Sequence, residues 1–222
     1  MFRKLLLIFP VLLLGFNAAA GSGDVRVDGF CGHNVSYGVF GGTDVSASWS
    51  MPSWFELRGA MRYSSFPKYT ADVRPAVFYD LPFGRLSLEA MAHYSYQSTT
   101  HDVCAGLVAG LRLRWMWVCA GYYYRTFLSS GDKLVEPVNL MYELGFSCLP
   151  DIEDWNLRVI VSNSRLARLE RFYQPSLCIE GEYLPMDNLG VILSVESKRA
   201  GVFNIASDHF QSMMSIGVRY IW

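Results

Sequence analysis

Three observations in the sequence predict an all-β protein, a transmembrane antiparallel β-barrel of about twelve strands. From residue 44 onward, hydrophobic and polar residues alternate in segments of roughly 9 to 13 residues, about the length a tilted strand needs to cross a bilayer. The second face of these segments carries arginines and carboxylates but little lysine. Beyond the first residues there is no run of about 18 apolar residues, so helical spans are excluded and only a closed barrel satisfies every backbone group in lipid. Ten to fourteen strands fit the same boundaries.

In chain order, residues 1–20 read as a signal peptide that is cleaved on export. Arg3 and Lys4 form a charged start, Leu5 to Phe16 an apolar core, and Ala18 to Ala20 a small-residue cleavage site. Residues 21–43 form an N-terminal segment or first hairpin, in which Gly41-Gly42 closes Tyr37 to Phe40 onto Asp44 to Ser50. The barrel is assigned to residues 44–222. Its clearest strand sets Leu86, Leu88, Ala90, Ala92, Tyr94 and Tyr96 against Ser87, Glu89, Met91, His93 and Ser95. Proline and glycine signals separate many of the strands, with Asp80 to Gly84 the tightest connection. Cys104 to Phe127 holds too much strand for one crossing, so a turn is placed near Arg112 to Trp115. Leu166, Leu169 and Phe172 recur by threes, which predicts a helical turn in a loop. An even strand count places both chain ends on one side.

A net charge of −1 gives no electrostatic case for nucleic acid. Aromatic residues make up 15% of the chain, a level suited to a membrane–water interface. Five widely spaced cysteines with no Cys-x-x-Cys give no support for zinc and are expected to act as small hydrophobes. Neither a phosphate loop nor a dinucleotide fingerprint is present, so no cofactor is expected.

The polar face is the candidate lumen lining: Arg58, Arg62, Arg74, Glu89, Glu143, Arg158, Glu180, Glu182 and Arg219. A water-facing surface would use more lysine, whereas arginine suits packed pairs with carboxylates.

The chain closes on a strand whose oily face is Phe210, Ser212, Met214, Ile216, Val218, Tyr220 and Trp222. This stretch resembles the terminal strand of bacterial outer-membrane β-barrels. The resemblance implies that Val218, Tyr220 and Trp222 act as a membrane-insertion signal. It also implies residence in a Gram-negative outer membrane, with lipid and the barrel-assembly machinery as partners. His93-Tyr94-Ser95 resembles the His-x-Ser pair of outer-membrane phospholipase A and lipid A deacylase, but lacks the asparagine expected beside it. The expected function is a narrow porin-like or structural barrel with a mixed-charge lumen. The alternatives are a lipid-modifying hydrolase using His93 and Ser95, and an accessory barrel of a secretion or surface-display machine. Oligomeric state is not readable from the sequence.

Overall fold

The computed structural model describes residues 21–36, 38–51, 54–65, 68–97, 100–128, 138–149, 151–165, 168–169, 174–199 and 209–222. Residues 1–20, the segment expected to be a signal peptide, lie outside them. The strands are β1 (Ser22–Asn34), β2 (Gly38–Met51), β3 (Phe55–Ser64), β4 (Lys68–Leu81), β5 (Gly84–Gln97), β6 (Thr100–Arg112), β7 (Met116–Phe127), β8 (Val138–Ser147), β9 (Trp155–Ser162), β10 (Ser164–Arg165), β11 (Arg168–Leu169), β12 (Ser176–Met186), β13 (Leu189–Arg199) and β14 (His209–Ile221). Twelve of them close a barrel in which each strand pairs antiparallel with its neighbours, and β10 and β11 form a separate two-stranded ladder.

Closure depends on the terminal strand. β14 pairs with β1 from Asp24 opposite Ile221 to Asn34 opposite Gln211. Beyond that ladder, Gly23 and Trp222 exchange both backbone hydrogen bonds, at 3.1 and 3.0 Å. These bonds satisfy the two sheet edges that lipid would otherwise leave bare. Removing Tyr220 to Trp222 strips the end of this seam and two rim aromatics. Such a chain is expected to lose the heat-modifiable migration of a folded barrel on gels, and normal insertion would contradict the assignment.

Alternation sorts the side chains. Val77, Leu88, Leu107, Ile179, Leu193 and Ile216 stand exposed on the outside. Exposed aromatics flank this aliphatic belt at both ends. Trp54, Trp115, Trp155 and Tyr220 lie at the end bearing the chain termini, and Tyr63, Tyr122 and Tyr124 lie toward the other. A continuous apolar surface of this kind is an aggregation hazard in water but is well solvated by lipid, and the two girdles match the two interfaces.

Two details explain local irregularities. Pro75 has no N–H to donate, and the β4–β5 ladder lapses between Val73 opposite Ala92 and Ala76 opposite Glu89 without a change of register. At Gly145 a β-carbon would collide with the Trp117 indole, which lies across β8 and donates to Glu143 Oε1 at 2.6 Å.

Three expectations need correction. The barrel begins at Ser22, not residue 44. Gly41 and Gly42 lie inside β2, opposite Cys31 and Phe30, and the first hairpin turns between Asn34 and Gly38 instead. The expected helical turn at 164–172 is, in its described residues, the ladder of β10 with β11. Spacing by threes misled there because a short segment can meet its surroundings without periodic secondary structure.

Candidate functional site: the barrel lumen

The interior face is charged, buried and paired. On β12, Glu180 and Glu182 point inward from alternate positions, each nearly inaccessible to solvent. Register places Arg158 of β9 directly opposite Glu180, with a guanidinium nitrogen 2.7 Å from one carboxylate oxygen and 3.3 Å from Glu182. Arg26 of β1 reaches Glu180 at 2.8 Å. Arg219 of β14 reaches Glu182 at 2.8 Å across β13, where Gly190 leaves the room a side chain would fill. A second network occupies the opposite wall. Arg74 of β4 bonds both oxygens of Asp72, at 2.8 and 2.9 Å, and lies 3.4 Å from Glu89 of β5. Arg58 of β3 also pairs with Glu89. Farther from the terminus-bearing end, Arg62 lies over the Phe30 ring and pairs with Asp44 at 3.3 Å.

The described residues that follow β9, 163–165 and 168–169, lie in the lumen. Asn163 donates to the Leu140 carbonyl at 2.8 Å and accepts from the Tyr142 amide at 2.8 Å, turning the chain inward at β8. Leu169 of β11 packs on an interior cluster of Met91, Cys104, Val108, Tyr123 and Met141. On one side Arg74 donates to the Arg165 carbonyl at 3.0 Å and to Ser164 Oγ at 3.4 Å. On the other side the Arg165 guanidinium lies 3.5 Å from Glu180 and 3.6 Å from Glu196 of β13. In the strand order β4 and β12 stand opposite each other, so Arg165 bridges the lumen.

On the terminus-bearing side of this bridge lies a cavity of about 780 Å³. Its lining includes seven arginines, Arg26, Arg58, Arg74, Arg85, Arg112, Arg158 and Arg165. Six carboxylates, Asp28, Asp44, Glu56, Asp80, Glu143 and Glu180, face the same space. Serines complete much of the polar wall, with Phe55, Phe78 and Trp117 as aromatic surfaces. In a confined, partly dehydrated space such pairs hold one another and still present hydrogen-bonding edges to a solute.

The residues read as lining from the sequence are distributed between these networks. Arg58, Arg74, Glu143, Arg158 and Glu180 border the cavity, whereas Arg62, Glu89 and Glu182 are buried in the packed interior and Arg219 is half-buried beside them. His93 and Ser95 are buried on the inner face. His93 Nδ1 lies 3.2 Å from Asp72, its cross-strand partner on β4. The pair therefore faces away from the apolar outer face of the barrel. Val218, Tyr220 and Trp222 share the outer face at the terminus-bearing rim, where the Tyr220 and Trp222 rings stack at 6.4 Å. All five cysteines are free, Cys104 and Cys178 buried inside and Cys31 and Cys148 exposed. Among the described residues no group of histidine, cysteine and carboxylates could hold a metal ion.

Sequence reading missed Arg26, Asp28, Arg85, Arg112 and Arg165. Arg26 and Asp28 were legible, since they alternate with Val25 and Val27 inside the glycine-rich segment. Arg165 carried no local signal, because its role depends on where the connection lies.

No family model and no curated protein matches the sequence. Solved structures do. The KdgM porin in complex with disordered oligogalacturonate is 11% identical, with 89% of this chain and 98% of that one covered and a TM-score of 0.58. The NanC porin is 10% identical over 88% and 98% of the two chains, with a TM-score of 0.57. An outer membrane channel from Pseudomonas putida F1 is 7% identical over 91% and 96%, also at 0.57. At these identities the likeness is one of fold, and the chain has the closed-barrel architecture of outer-membrane porins and channels.

Proposed function

We propose that this chain is an integral outer-membrane barrel that acts as a narrow, partly obstructed porin-like pore for small polar solutes. The terminus-bearing end faces the periplasm, consistent with its short connections. Outer-membrane lipid contacts the apolar belt, and the barrel-assembly machinery engages the terminal strand at Val218, Tyr220 and Trp222. One observation carries the reading. A polar, charge-lined cavity of about 780 Å³ lies inside a barrel whose outside is apolar, where a purely structural barrel would need only a packed interior. The Arg165 bridge narrows the path and sets its expected scale, that of ions and small metabolites, not of oligomers or folded chains. The lipid-hydrolase alternative is disfavoured by the inward burial of His93 and Ser95, and no observation favours a secretion accessory.

The test is electrical. The refolded barrel, inserted into planar bilayers and verified by heat-modifiable migration, is expected to pass small, discrete current steps well below those of wide general porins. Verified insertion with no current would overturn the channel reading and leave a plugged structural barrel.

A further inference from the structure

The two halves of the lumen differ in what water reaches. In the terminus-bearing half the cavity stands open, and Glu56, Arg58 and Arg158 keep between a fifth and a third of their side-chain surface exposed. In the other half the inward side chains are sequestered on strand after strand. Asp72, Cys104, Met141, Ser162, Glu196 and Met213, from six strands round the wall, are each at most 2% exposed. A water-filled bore would wet the inward side chains along its whole length, so this half is packed across.

Two apolar clusters supply the filling. Phe30, Phe40 and Met213 pack together on β1, β2 and β14. Gly42 and Gly32 make room for them, since a β-carbon there would collide with the Phe30 and Phe40 rings respectively. Arg62 covers this cluster, its guanidinium 3.9 Å from the Phe30 ring centre and donating to Met213 Sδ at 3.2 Å. In the barrel order β7 stands opposite β1. The second cluster lies on that side, from β5 to β8, and Leu169 of the inserted ladder packs on it. Asn34 donates to Gln211 at 3.2 Å and Arg125 pairs with Asp102 at 2.7 Å toward the far rim. Apolar surface turned into a lumen disfavours water, and hydrophobic constrictions close pores by dewetting. Packing for stability alone would not stop at mid-barrel and leave a polar cavity in one half.

We propose that the lumen is a one-sided binding vestibule. Small polar solutes enter and leave the cavity through the terminus-bearing mouth, and the packed half is a seal that must open before anything crosses. The serines and paired charges of the lining suit a solute with several hydrogen-bonding groups. This deepens the pore reading and rests on it only for the crossing step. In the orientation proposed above the vestibule is loaded from the periplasm, and the expected current steps are openings of the seal.

The chain carries its own probes. Cys119 lines the cavity, whereas Cys104 and Cys178 lie buried in the packed half. Cys31→Ser and Cys148→Ser remove the two exposed thiols. The folded barrel, checked by heat-modifiable migration, is treated in non-ionic detergent, where both mouths meet water, with a small charged methanethiosulfonate. Peptide mass mapping reads the rate at each thiol. Cys119 is expected to react at least several-fold faster than Cys104 and Cys178. Thiols in apolar surroundings also react slowly for want of thiolate, so a second pair removes that ambiguity. Ser87→Cys lies in the cavity lining, and Ser95→Cys lies in the packed half between the polar Thr70 and Asp102. Only Ser87→Cys should be modified rapidly. Protection of Ser87→Cys, or equal rates at the two depths in the folded barrel, would overturn the proposal. Labelling needs no current, so a barrel that shows this pattern but never conducts sinks only the channel reading. A conducting barrel whose Cys104, Cys178 and Ser95→Cys thiols react as fast as those in the cavity sinks only the seal.

Discussion

Replacing Glu180 with glutamine is expected to be the most destabilising conservative change in the lumen, by about 3–5 kcal/mol, the usual cost of removing one partner from a buried ionic network. The carboxylate is shared by Arg26 at 2.8 Å, Arg158 at 2.7 Å and Arg165 at 3.5 Å, and is almost wholly sequestered from water. Glutamine keeps the shape and one acceptor but removes the charge that holds the three guanidiniums together. Arg158 can still lean on Glu182 at 3.3 Å and Arg26 on Asp28 at 2.6 Å, so the barrel should fold but unfold at distinctly lower urea. The measurement is the urea midpoint of the heat-modifiable band in detergent or lipid. A midpoint within error of wild type would show that water reaches this network and screens it.

The second large effect concerns the bridge. Arg165→Ala removes the guanidinium contacts to Glu180 and Glu196, while the backbone bond from Arg74 to the residue 165 carbonyl survives. The β10–β11 ladder then keeps one anchor of the two that stretch it across the lumen. Single-channel conductance is expected to rise several-fold, with larger current noise as the segment samples positions against the β4 wall. Stability should fall less than in Glu180→Gln, because Glu180 retains Arg26 and Arg158. Unchanged conductance in Arg165→Ala would mean that the narrowest point lies elsewhere along the lumen.

These two variants separate two uses of the same charges. Glu180 joins β1, β9 and β12 as a fastening of the barrel wall, so its loss is read mainly in stability. Arg165 belongs to a segment outside the barrel ladder, so its loss is read mainly in permeation. The distinction follows from topology, since a wall residue cannot leave the lumen while its strand remains paired, whereas an inserted connection can.

Legibility from the sequence varied with how local each feature is. The alternation of Leu86 to Tyr96 against Ser87 to Ser95 announced β5, and the same rule sorted Glu180 and Glu182 from Ile179 and Gly181. Leu81-Pro-Phe-Gly marked its hairpin because proline and glycine act on the backbone where they stand. The first hairpin was misread because Gly41-Gly42 is a strong local turn signal. Here it is overridden by continuous pairing of β2 with β1, in which Gly42 stands opposite Phe30. The turn at Leu113 to Trp115 has no glycine or proline, and was found only because the apolar run was too long for one strand.

The sequence by itself determined an all-β chain of about twelve crossings, with an oily face, an arginine–carboxylate face and a terminal strand ending on aromatics. These follow from a two-residue repeat that needs no knowledge of the partners. Only the tertiary structure decided that β1 closes on β14, that Arg26 shares Glu180 with Arg158, and that Arg165 spans the lumen. It also set Arg85 beside Arg112. Each of these joins residues from separate strands, and the strand order and register that bring them together arise only when the whole sheet closes on itself.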